Sequence, residues 1–99
     1  MYQLNKQPRE AIMGVAIDFS SRLDTSETLS SITVSQELLS GVEGIGSQLT
    51  ISGLSVGGGI ASTNVAGGYD GCVYKLTYLV TGNKGNILES EIKLKVKEL

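Results

Sequence analysis

From Leu88 to Lys97 the chain alternates without a break. Leu88, Ser90, Ile92, Leu94 and Val96 form one set, and Glu89, Glu91, Lys93, Lys95 and Lys97 form the other. Extended chain sends successive side chains to opposite faces, so this stretch reads as a strand with one dry face and one wet face. A helix would spread the same charges around its circumference. Just upstream the alternation recurs, with Tyr74, Leu76, Tyr78 and Val80 on one parity and Val73, Lys75, Thr77, Leu79 and Thr81 on the other. Between the two stretches lies Thr81-Gly82-Asn83-Lys84-Gly85-Asn86, and its Asn and Gly residues suit a tight reversal. Residues 72–81 and 87–97 are therefore predicted to form a β-hairpin.

A hairpin that is dry on one face must bury it against a second layer. Shorter alternations upstream can supply that layer. Val15, Ile17 and Phe19 predict a strand over 13–20, followed by a turn at Asp24-Thr25-Ser26-Glu27. Ile32 and Val34 predict a strand near 28–36, Leu49 and Ile51 one near 47–53, and Ala61, Thr63 and Val65 one near 60–66. Pro8, which cannot donate to a ladder, suits the approach to an edge strand. Leu38-Leu39, stopped at Gly41, could close one turn of helix. Six or seven short strands in 99 residues predict an all-β fold, a sandwich or barrel, with residues 1–99 as one domain. The expected core is Val15, Ile17, Phe19, Ile32, Val34, Leu49, Ile51, Val65, Leu76, Val80, Ile92, Leu94 and Val96.

Composition narrows the function. The net charge is −2, which gives no reason to expect a nucleic-acid partner or an anionic membrane. No apolar run approaches the roughly 18–20 residues that cross a bilayer, and Met1-Tyr2-Gln3-Leu4-Asn5-Lys6 lacks the apolar stretch of a signal peptide. The chain has no histidine and one cysteine, Cys72, so the usual general base, an internal disulfide and a clustered Cys/His zinc site are all missing. Cys72 shares the parity of Tyr74 and reads as a small buried hydrophobe. Glu89 and Glu91 are paired carboxylates, but Lys93 and Lys95 continue the same face, so a solvated, self-neutralising surface is the simpler reading. Gly57-Gly58-Gly59 lacks the following helix and Lys-Ser/Thr pair of a phosphate loop. Asp70-Gly71 reads as turn chemistry rather than as a calcium loop. No enzyme activity, cofactor or metal is expected. The aromatic platform of a glycan-binding protein would have to come from Tyr2, Tyr69 and Tyr78.

One segment differs from the rest. Residues 38–68 hold 9 of the 13 glycines and a single charge, Glu43. Soluble surfaces are usually rich in charge, and glycine-rich loops stay loosely ordered unless something holds them. Leu54, Val56, Gly57, Gly58, Gly59 and Ile60 are accordingly the candidate interface, with the chain ends as additional contacts.

Several short motifs together carry a resemblance. Gly71-Cys72-Val73-Tyr74 places a glycine three residues before a strand-opening tyrosine, which looks like the tyrosine corner of immunoglobulin-like and fibronectin type III sandwiches, where the phenol bonds back to the chain, and it implies an immunoglobulin-like (fibronectin type III-like) β-sandwich of about seven strands. Lys6-Gln7-Pro8-Arg9-Glu10, Ile17-Asp18-Phe19-Ser20, Leu23, Glu27-Thr28-Leu29, Gly67-Gly68-Tyr69-Asp70-Gly71-Cys72-Val73-Tyr74 and Thr81-Gly82-Asn83-Lys84-Gly85 follow in an order and spacing similar to small phage virion proteins of the fiber–tail adaptor family. The chain departs from that pattern in having no tryptophan in its early strands. The resemblance implies a virion structural protein, made in the host cytoplasm and assembled in multiple copies. It would join head–tail or tail–fiber components by contacts with portal, neck, tail or fiber subunits. Other readings are a head-decoration protein and an adhesin-like domain that binds a glycan.

Overall fold

The computed structural model describes residues 2–41 and 49–97. Glu43, residues 47 and 48 of the strand expected at 47–53, and the terminal residues Met1, Glu98 and Leu99 lie outside the described residues. The described chain forms seven strands: β1 (Tyr2–Lys6), β2 (Ile12–Asp18), β3 (Leu29–Ser40), β4 (Leu49–Gly57), β5 (Ile60–Gly67), β6 (Val73–Gly82) and β7 (Ile87–Val96). One short 3₁₀ turn, Ser20–Arg22, follows β2. The strands make a four-stranded sheet in the order β1-β7-β6-β3 and a three-stranded sheet in the order β2-β5-β4. β1 runs parallel to β7, and every other pairing is antiparallel. This distribution of strands is compatible with an immunoglobulin-like sandwich whose first strand has joined the last.

The alternation of β6 and β7 sets the core. Their register pairs Tyr74 with Leu94, Leu76 with Ile92 and Val80 with Leu88, so the two dry parities coincide on one face. Tyr74, Leu76, Tyr78, Val80, Ile92, Leu94 and Val96 are buried there. Opposite them the three-stranded sheet contributes Val15, Ile17, Leu49, Ala61 and Val65, with Phe19 closing one end. Ile32, Val34 and Ile51 are only partly buried and pack against this cluster from the edge strands. Cys72 is fully buried, as its parity predicts.

Three expectations are corrected. Leu38 and Leu39 are not helical, because β3 continues to Ser40 and pairs Leu38 with Tyr74. β6 is long enough to offer ladder partners down to Val73, and that pairing overrides a two-residue helical tendency. Tyr78 is no exposed ring. It is fully buried, and its hydroxyl shares a 2.6 Å hydrogen bond with the Thr63 hydroxyl, so neither polar group is left unpaired in the core. Finally, β1 is a strand that the alternation did not predict.

Candidate functional site

The segment singled out by its lack of charge is mostly sheet. Residues 49–57 and 60–67 are β4 and β5, and Gly58-Gly59 is a two-residue turn between them. That turn is not a loose loop. The Gly58 carbonyl accepts the Leu29 amide at 2.8 Å, and the Gly59 carbonyl accepts the Phe19 amide at 2.7 Å. A Cβ on Gly59 would come within 2.9 Å of the Ser20 Cα, so only glycine permits this approach.

The candidate interface residues do not share one surface. Ile60 is exposed on the outer face of the three-stranded sheet, paired with Asp18 of β2 and Gly57 of β4. Leu54 is also exposed, but the register of β4 shifts between Ser52 and Ser55. Ser55 pairs with Ser62 on the outer face, and their hydroxyls meet at 2.8 Å, so Leu54 turns to the other side by alternation. Val56 packs against the core and Gly59 is half-buried under the 3₁₀ turn. Gly57 and Gly58 are exposed.

What the sheet does bring together is a flat outer face of small side chains. Ala16 pairs with Ser62, Asp18 with Ile60, Ser52 with Asn64 and Thr50 with Ala66. Asp18 is the one charged group in these pairs. Its carboxyl is held below the usual range by hydrogen bonds from Ser20, side chain first and then amide. Asn64 sits between two bulges, one on β2 and one on β4. Its Oδ1 accepts the Gly14 amide at 3.0 Å, and a Cβ on Gly53 would stand 2.5 Å from its Nδ2. Gly53 has φ 60, the left-handed conformation a bulge of this kind demands.

The outer face of the four-stranded sheet is the opposite case. Lys75 bridges Glu37 at 3.2 Å and Glu91 at 3.4 Å, and these carboxylates, Glu37 first, raise its pKa. Lys93, Lys95 and Lys97 continue the same parity, and among the described residues none has a carboxylate at ion-pair distance.

Three polar side chains tie the ends of the sandwich. The Tyr74 hydroxyl accepts the Tyr69 amide at 3.0 Å, five residues back, with Gly71 at φ 85 between them. This is the bond a tyrosine corner makes. Glu27 and Lys6 are buried charges that sequence reasoning missed. Glu27 joins the turn before β3 to the β6–β7 hairpin, accepting Asp24 N, Lys84 N, Asn86 N and Asn86 Nδ2. Lys6 donates to the carbonyls of Gln7, Pro8 and Gly67. Desolvation pushes its pKa down, and Glu10 opposes that shift. The one available signal was the motif Lys6-Gln7-Pro8-Arg9-Glu10, whose spacing says nothing about burial.

The sequence model of one protein family, described as podophage GP4 fiber-tail adaptor protein gp77, matches residues 6–95. None of the curated proteins compared with the chain matches it.

Proposed function

The chain belongs to the podophage GP4 fiber-tail adaptor protein gp77 family, and from that premise we propose that it is a virion structural protein that joins fiber to tail through its sheet faces, without catalysing a reaction. The family match over residues 6–95 carries this reading. It takes the chain as one domain, synthesised in the host cytoplasm and built into the particle in multiple copies. The small-residue outer face of β2, β5 and β4 is the surface best suited to close packing on another virion protein. Flat strands with Ala, Ser and Asn side chains let a partner approach closely, and desolvating them strands a single charge, Asp18.

The decisive experiment is particle composition. Purified virions should contain the protein at a fixed ratio to tail subunits, measured by quantitative mass spectrometry. Ile60→Asp combined with Ser62→Arg should exclude it from particles while the isolated domain stays folded. Val56 packs against the core and is unsuitable for such a test. Incorporation of the double variant at the wild-type ratio would move the contact off this face, and absence of the wild-type protein from virions would end the adaptor reading.

A further inference from the structure

Where β1 and β7 end, a cleft of about 450 Å³ opens, lined by Asn5, Lys6, Gln7, Glu10, Lys95 and Lys97. Among the described residues three lysines and one acid line it. Lys6 is only 4% exposed. Its ammonium bonds to the carbonyls of Gln7, Pro8 and Gly67, and among the described residues no carboxylate reaches ion-pair distance. Neutral oxygens solvate a buried cation but do not cancel its charge, and Glu10 acts on it through space. Lys95 and Lys97 are exposed at the wall and carry no ion pair among the described residues. Glu10, the one acid lining it among the described residues, already accepts the Gln7 amide at 2.6 Å through Oε1.

We propose that this cleft is a docking site for an acidic segment of a partner protein in the particle, with a carboxylate seated between Lys95 and Lys97 and the amides of Asn5 and Gln7. The inference rests on the adaptor reading. Charge complementarity selects the occupant: among the described residues three lysines and one acid line the cleft, and that surplus of cations favours an anion. The size of the patch selects a carboxylate over a polyphosphate. Among the described residues only Lys95 and Lys97 offer exposed ammonium groups, Glu10 stands beside them, and Glu89 and Glu91 lie further along the same strand face. Among the described residues no aromatic ring lines the cleft to stack a base.

The test uses the full chain and three probes: a hexaglutamate peptide, a hexaglutamine peptide and a short single-stranded oligonucleotide. Hexaglutamate should bind and shift the amide resonances of Asn5, Gln7, Lys95 and Lys97. Lys95→Gln with Lys97→Gln should weaken it about tenfold, the combined effect expected of two exposed ion pairs. Lys84→Gln, at the far hairpin, should leave it unchanged. Equal binding of hexaglutamine, undiminished binding by the double variant, or tighter binding of the oligonucleotide would each overturn the proposal. A chain ending at Lys97 that binds hexaglutamate tenfold more tightly than the full chain would assign the cleft to the protein's own terminus and overturn it too. Particle composition separates the two readings. Wild-type protein present in virions with no hexaglutamate binding removes only the cleft proposal, and its absence from virions removes the adaptor reading whatever the peptide does.

Discussion

A single carboxylate does much of the joining at one end of the sandwich. Glu27 is 6% exposed, and its two oxygens accept four N–H groups. The Asp24 amide is the largest influence, followed by the Asn86 side chain. Together with the Lys84 and Asn86 amides they hold its carboxyl below the ordinary range against the opposing effect of burial. A folded-state value below the unfolded one stabilises the protein at pH above the unfolded carboxylate range of about 4.3, and the effect is lost as pH falls through the lower folded value. Glu27→Gln should therefore lower the urea midpoint at neutral pH, and the gap to the wild type should close in acid. A gap that stays constant from neutral to acid pH would show that the charge is not what matters. Tyr74 makes a simpler case. Tyr74→Phe removes the acceptor of the Tyr69 amide and should cost about 0.5–1.5 kcal/mol in chemical denaturation, the usual net value of one hydrogen bond. A difference too small to measure would show that solvent replaces the bond.

At the scale of the element, the strands differ in how much their own pattern decides. β7 keeps one parity from Leu88 to Val96 with no register shift against β6, so its dry face was readable directly. Ile92→Ala should cost about 2–5 kcal/mol, since the side chain is 2% exposed and the β-layer around it cannot collapse fully. A loss near zero would mean that Ile92 is not in the core. β4 is the contrary example. Its bulge at Gly53-Leu54 reverses the parity halfway, so Leu49 and Ile51 face inward before it and Val56 after it. Leu54 and Val56, chosen for the lack of charge around them, do not form a common exposed surface, because Val56 packs against the core. Gly53→Val forces a branched residue into the left-handed region against the Asn64 amide and should cost about 1–3 kcal/mol. Ser55→Ala on the same strand removes only an exposed hydroxyl pair and should stay within about 0.5 kcal/mol.

The whole molecule depends on pairings that span the chain. β1 lies beside β7, and β3 lies beside β6, so ordered sheet requires segments far apart in sequence to meet. Closing such loops before any contact compensates is slow, and refolding should take about milliseconds to seconds in stopped-flow measurements. Refolding complete within microseconds would contradict this topology. The same long pairings explain what was legible in advance. The β6–β7 hairpin, the all-β class, the turn at Asp24–Glu27, the buried Cys72 and much of the core, though not Leu29, Tyr74 or Tyr78, followed from the sequence alone, because period-two alternation is a local property and apolar burial obeys it on each strand separately. The order and spacing of short motifs likewise pointed to the family. Only the tertiary structure decided that Tyr2–Lys6 joins the last strand in parallel, that Lys6 and Glu27 are buried, and that β4 changes face at a bulge. It alone carried β4 on from the expected end near residue 53 to Gly57. In each case the energy comes from a partner remote in the chain: Gly67 for Lys6, Asn86 for Glu27, Asn64 for Gly53, and Ser20 for Gly59. No local pattern records which distant group will arrive to solvate a charge, fill a bulge or crowd a glycine.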